Sequence, residues 1–205
     1  MALLLNIDTA TEVAAISISE NETVIGSAIN IDQKDHASFL HPAIKDLLHK
    51  AHLSIYKLDA IAVTAGPGSY TGLRVGMAST KGLCYALNIP LITVSTLEVM
   101  ALSSIKQMHD PSALYCPMID ARRMEVFTAV YDHHLKEIIN PCSMILDSEV
   151  FKDILEKNKI YFSGSGAEKL KDILKNKNAA YTANEFTPAS MAELSYENYK
   201  KENFA

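Results

Sequence analysis

Residues 62–91 read AVTAGPGSYTGLRVGMASTKGLCYALNIPL and hold five of the eight glycines of the 205-residue chain. An apolar run, Leu58 to Val63, leads in. Gly66-Pro67-Gly68 bends the chain, a helical pattern follows, and a second apolar run, Ile89 to Val94, leads out. Strand, tight turn, helix and strand in that order are the grammar of an α/β protein. The glycines admit two readings. A glycine turn that opens a helix presents free backbone N–H groups to an anion. Alternatively, Gly66 and Gly68 serve only to make the turn beside Pro67, and Gly72, Gly76 and Thr80, four apart, leave a smooth helical strip for another backbone.

The phosphate reading lacks its usual partners. Leu73-Arg74 stands where a Walker A motif has Lys-Ser or Lys-Thr, and the spacing G-x-G-x-x-x-G departs from the dinucleotide fingerprint. Each helical glycine costs about 1 kcal/mol relative to alanine, so a helix bearing several has a packing reason for them. The packing partner is either the first helix of the same domain or a helix of another protein.

Outward from this block, Leu3 to Ile7 is a continuous apolar run ending at Asp8, as expected of a central strand. Val13 to Ser19 and Thr23 to Ile31 alternate around a turn, which describes an antiparallel meander. A first helix is expected from Ser38, as N-cap, to Ala51, with Leu40, Ile44 and Leu47 on its apolar stripe and Pro42 in the first turn. Lys57 to Val63 is a strand, and Ser95 caps a helix reaching Met108. The polar breaker His109-Asp110-Pro111-Ser112 then marks a domain boundary, giving lobes 1–110 and 111–205.

The second half repeats this order. Ala113 to Ile119 is apolar and ends at Asp120, Glu125 to Tyr131 and Leu135 to Ile139 form a hairpin, and a helix over 149–157 is capped by Asp147 or Ser148. Ile160 to Ser163 is a strand, Gly164-Ser165-Gly166 leads to a helix over 167–174, and Thr187-Pro188 opens a last helix to about Lys200. Two such units, each with an aspartate closing its first strand, imply an α/β fold of duplicated ribonuclease-H-like lobes. That is the plan of the actin-like ATPase (sugar kinase/heat-shock) superfamily, with mixed sheets flanked by helices.

Composition narrows the function. The net charge of −5 and the absence of a basic patch argue against autonomous nucleic-acid binding. Three scattered cysteines give no disulfide or zinc framework, and the seven histidines form no HExxH motif. MALLLNID reads as a core strand and not as a signal peptide, so a cytoplasmic protein is expected. Asp8 and Asp120 stand where the superfamily places phosphate- and metal-facing carboxylates, yet neither Asp8-Thr9-Ala10-Thr11 nor Asp120-Ala121-Arg122-Arg123 has the glycine an amide cradle needs.

Three blocks carry a resemblance: Ile7-Asp8-Thr9-Ala10-Thr11, Gly66 to Gly76, and Ile119-Asp120-Ala121-Arg122-Arg123-Met124-Glu125-Val126. They resemble, in order and spacing, the signature blocks of the TsaB (YeaZ) family, as far as about Val130. The resemblance implies a non-catalytic subunit that pairs with the transferase TsaD, with the ATPase TsaE joining the pair. Together they make threonylcarbamoyladenosine beside the anticodon of tRNAs that read A-starting codons. TsaD holds its metal with an HxxxH pair, and Thr96 and Met100 stand at the corresponding positions here. A hydroxyl and a thioether four apart do not replace two imidazoles.

The resemblance therefore implies no catalytic residue, no metal and no cofactor of the chain's own, with ATP or ADP expected only at an interface with partners. Leu40, Ile44, Leu47, Gly72, Gly76 and Thr80 are the expected partner interface, used for a homodimer when the chain is alone. Arg74, Arg122 and Asp8 are the candidates for a nucleotide or phosphate contact, with surface ion pairing the alternative for both arginines. Contact with tRNA is expected only through the complex, and none with a membrane. The alternative is a small ATP-dependent kinase or metallopeptidase-like enzyme of the same superfamily.

Overall fold

The computed structural model describes residues 1–31, 35–183 and 188–205. The first repeat runs β1 (Leu3–Asp8), β2 (Ala14–Glu20), β3 (Thr23–Asn30), α1 (His36–Lys50), β4 (Ala60–Thr64), α2 (Tyr70–Leu87), β5 (Leu91–Val94) and α3 (Thr96–Met108). The second runs β6 (Leu114–Asp120), β7 (Glu125–Tyr131), β8 (Glu137–Ile145), α4 (Lys152–Leu155), β9 (Ile160–Ser163), α5 (Ala167–Ile173), β10 (Ala179–Thr182) and α6 (Pro188–Lys200). The strands lie in two five-stranded sheets, β3-β2-β1-β4-β5 and β8-β7-β6-β9-β10. In each, the first three strands pair antiparallel and the last two join in parallel.

The sheet order accounts for the sequence patterns. β1 is central and is buried almost throughout, whereas β3 is an edge strand whose exposure alternates residue by residue. Leu5, Ile7, Ile16, Ile18, Ile61 and Val63 meet Leu40, Ile44, Leu47 and Leu48 of α1 and Cys84 of α2 in one core. In the second sheet Met118, Val126, Phe162 and Leu170 pack with Phe151, whose ring stands edge-on to Phe162 at 5.1 Å.

Two compact units result: Met1–Thr96 with Thr187–Ala205, and Leu97–Phe186. This differs from the expected division at 110/111, because the helix closing each repeat packs on the sheet of the other. α6 lies on β1, β2, β3 and β5, where Asn6, Ser17 and Ser19 form a small hydrogen-bonded polar face that suits Ser190, Ala192 and Ser195. α3 sends Leu97, Met100 and Ala101 against Ile119, Ala129 and Tyr131, and Ile105 and Met108 against Tyr115 and Tyr161.

Other differences are local. α1 begins two residues before Ser38, whose hydroxyl donates to the Asp35 carbonyl at 3.0 Å, and Pro42 lies in the second turn. The helix expected over 149–157 is a single turn whose N-cap is Phe151; Asp147 instead accepts from the Glu149 N–H at 2.8 Å. β8 runs six residues beyond the expected Ile139, and β10 was not expected. Thr187, the expected cap of α6, lies outside the described residues. No helix among the described residues is long and apolar enough to cross a membrane.

Candidate functional site

The glycine block closes over the end of β1. Ser69 opens α2 by accepting from the Gly72 N–H at 3.3 Å, and its own N–H donates to the Ala10 carbonyl at 2.7 Å. The Thr9 hydroxyl donates to the Gly72 carbonyl at 2.7 Å. A Cβ on Gly68 would overlap the Ala10 carbonyl, one on Gly72 the Thr9 carbonyl, and one on Gly76 the Thr9 hydroxyl. The first two collisions are with backbone, which cannot swing aside. Gly68, Gly72 and Gly76 are therefore required by the close approach of α2 to the β1–β2 loop.

This corrects the expected interface. Gly72, Gly76 and Thr80 face inward, and Leu40, Ile44 and Leu47 are at most 6% exposed, all six serving the core of their own unit. A small-residue strip and an apolar stripe read from sequence do not reveal whether the surface they meet is internal, and here it is.

Asp8 is corrected too. It is 2% exposed, and its Oδ1 accepts from the Ala10 N–H at 3.0 Å and from the Thr64 hydroxyl at 2.9 Å. Burial pushes the carboxyl above its ordinary range, opposed by those two hydrogen bonds and the nearby His36 imidazole. His36, itself buried, has its Nε2 3.2 Å from the Thr11 carbonyl. The loop after β1 is thus filled by the chain's own backbone.

In the second unit Asp120 repeats the local turn with another outcome. Its Oδ1 accepts from the Arg122 N–H at 2.5 Å and from Lys169 Nζ at 2.5 Å, and its N–H donates to Ser165 Oγ at 3.1 Å. The Lys169 bond is the main cause holding this exposed carboxylate below its ordinary range. Arg122 is exposed. Lys169 and Ser165 could have been sought in the sequence as polar side chains just after the strand paired with β6.

Arg74 lies on the outer face of α2, its guanidinium carbon 4.0 Å from the centre of the Tyr70 ring. With Thr64, Ala65, Tyr70, Leu73, Met77, Ala78 and Lys81 it lines a mainly apolar groove of about 520 Å³. A second groove, of about 590 Å³, continues past Met77 and Lys81 to Cys84, Tyr85 and Pro90. Tyr70 is 67% and Tyr85 92% exposed. Tyr70, Arg74, Met77, Lys81 and Tyr85 recur at three- and four-residue steps opposite the glycine strip, so the same helical period that picked out Gly72 and Gly76 also finds them.

Thr96 and Met100 are both buried, at 1% and 4% exposure. Among the described residues no three His, Cys, Asp or Glu side chains lie together in a form that could hold a metal ion.

A family model described as TsaD, tRNA N6-adenosine threonylcarbamoyltransferase, matches residues 23–202. A Bacillus subtilis protein named tRNA threonylcarbamoyladenosine biosynthesis protein TsaB is 31% identical over 206 aligned residues, covering 97% of this chain and 88% of that one. This chain belongs to the TsaB (YeaZ) family. The TsaB of Escherichia coli aligns at 33% identity over 62% of this chain and 54% of its own length. A Pseudomonas aeruginosa structure described as similar to peptidase YEAZ superposes with a TM-score of 0.85 at 23% identity, covering 100% of this chain and 95% of that one. A polyphosphate/ATP-glucomannokinase from Arthrobacter superposes with a TM-score of 0.54 at 10% identity, over 98% of this chain and 100% of its own. The chain thus shares the duplicated fold of the actin-like ATPase and sugar kinase superfamily, as its sequence repeat led one to expect.

Proposed function

We propose that this chain is a non-catalytic subunit that binds a TsaD-type transferase and supports addition of the threonylcarbamoyl group to adenosine beside the anticodon of tRNAs reading A-starting codons. The observation that carries this reading is the filled loop at the end of β1. Gly68 and Gly72 press on the Ala10 and Thr9 carbonyls, and Asp8 is buried beneath hydrogen bonds from within the chain. A nucleotide phosphate has no backbone cradle there. The burial of Thr96 and Met100 where TsaD carries metal ligands supports the same reading.

The TsaD partner docks on the exposed face of α2, from Tyr70 to Tyr85, where a continuous apolar strip is flanked by Arg74 and Lys81. The same face serves a homodimer when the partner is absent. TsaE joins the pair, ATP or ADP binds only at the interface so formed, and the assembly works in the cytoplasm.

The test is reconstitution. TsaD, TsaE, the enzyme TsaC that makes the threonylcarbamoyl-adenylate donor, threonine, bicarbonate, ATP and tRNA are combined with and without this chain, and modified adenosine is measured. Modification is expected only when the chain is present; full modification without it overturns the proposal. Calorimetry on the isolated chain is expected to register neither tight ATP nor tight divalent-metal binding, which the kinase and metallopeptidase alternatives both require.

A further inference from the structure

Residues 60–97 contain no aspartate and no glutamate, and their only charges are Arg74 and Lys81. The chain around them is acidic, with a net charge of −5. Both cations fall on α2 and both are exposed. Seven residues apart, they stand two helical turns along one face, and both line the groove of Tyr70, Leu73 and Met77.

Neither cation is answered from within the chain. No ion pair of the described residues includes Arg74 or Lys81. Arg74 lies over the Tyr70 ring, which is itself exposed. The elements packed on α2 are β4, α1, β1 and β5, and they offer no free carboxylate. On α1 the one acidic residue is Asp46, which Lys50 holds at 2.7 Å, and Asp35, its N-cap, accepts from the Ser38 hydroxyl. β4 and β5 carry none, and the one on β1 is Asp8, buried and bonded to Ala10 and Thr64. Glu12, on the β1–β2 loop beneath the start of α2, is exposed and pairs with neither cation.

A second copy and a different protein treat these charges in opposite ways. A second copy meets the face about a two-fold axis, so the patch faces itself. Arg74 and Lys81 of both copies then share one apolar interface with no carboxylate of α2 among them, and like charges set together there are costly. A partner with carboxylates at the rim of its own apolar surface answers both cations. Arginine takes a carboxylate through two parallel N–H bonds, and lysine through a compact ammonium.

We propose that the partner surface seated on the outer face of α2 is acidic, with carboxylates that receive Arg74 and Lys81. These two cations make the face select such a partner over a second copy of the chain. The inference rests on the docking of a TsaD-type partner on α2 and adds to it the charge of that partner's surface. Self-association through α2 is the weaker mode.

The test changes Arg74→Gln and Lys81→Gln together, which removes both charges and keeps good helix formers on α2. Affinity for TsaD is measured by calorimetry without nucleotide, across a salt series. Self-association is measured by sedimentation equilibrium at about 150 mM salt, where charges more than about 8 Å apart are screened. At the lowest salt the variant is expected to bind TsaD about tenfold more weakly than wild type, with a flatter salt dependence. Its self-association is expected to be no weaker than that of wild type. Equal TsaD affinity and salt dependence in variant and wild type overturn the proposal. Weaker self-association in the variant also overturns it, since the cations then meet carboxylates of a second copy. So does a loss of TsaD affinity seen only when ADP is added, which assigns the cations to a nucleotide. Tyr70→Glu with Tyr85→Glu separates the two readings. If that variant binds TsaD as wild type does, the docking reading fails and this one with it. If it loses TsaD while the Gln variant behaves as wild type, docking stands and the charge assignment alone falls.

Discussion

Gly72 has its Cβ position filled by the Thr9 carbonyl, so Gly72→Ala sets a methyl group against backbone. Thermal and urea unfolding are expected to show a loss of about 1–3 kcal/mol, the usual cost of overpacking. An unaffected melting temperature would mean that α2 and the β1–β2 loop are not in contact. Asp8 offers a pH test of the same junction. Its folded pKa is raised by burial above the ordinary 3.8, so the folded state holds its proton longer than the unfolded chain does. Its share of stability is therefore greatest below 3.8 and declines as pH rises through the raised folded value. Asp8→Asn keeps an oxygen for the Ala10 and Thr64 donors and removes the titration. Relative to wild type, it is expected to be more stable at pH 7 than at pH 4 in urea melts, and an equal difference at both pH values would refute the burial of an ionisable group. The sequence marked Asp8, Gly72 and Gly76 as special. It could not say that they belong to one junction, because Thr9 and Thr64, which bind them together, carry no pattern of their own.

At the scale of elements, α2 presents two faces with opposite tasks. The glycine face is committed to the fold. On the opposite face Tyr70 and Tyr85 are exposed beside Arg74 and Lys81, with Met77 half-buried between them. Tyr70→Glu with Tyr85→Glu places two charges on that face, at side chains that are 67% and 92% exposed. The variant is expected to keep the wild-type melting temperature within about 0.5 kcal/mol of stability and to lose co-purification with TsaD. Retained co-purification would move the docking surface elsewhere. Helical period made α1, α2 and α3 legible to within a few residues at each end, since each has a regular apolar stripe. β10 escaped and α4 was expected too long because neither is long enough to develop a period, and the end of β8 was missed because Pro141 interrupts its alternation beyond Ile139.

On the scale of the whole molecule, the repeat of strands and helices was legible because it follows local patterns, whereas the partition of α3 and α6 was not. Which sheet a helix covers is a long-range choice that the periodicity of the helix alone does not state. Consequently a cut at the polar breaker after Asp110 is expected to give two defective halves. Fragment 1–110 lacks the α6 cover of β1, β2, β3 and β5, and fragment 111–205 lacks the α3 cover of Ile119, Ala129 and Tyr131. Separately expressed, both are expected to show broad, non-cooperative melts, and a sharp transition in either would contradict the packing. The placement of α6 also sets a schedule for biosynthesis. A nascent chain emerges from the ribosome amino end first, and the amino-terminal sheet has one side unroofed until residues 188–200 arrive, after every strand of the other sheet. The half made first is finished last. Ribosome-bound chains stalled before Pro188 are expected to be cut readily by protease within 1–96 even though that sheet's five strands are complete, and slower elongation would lengthen that exposure.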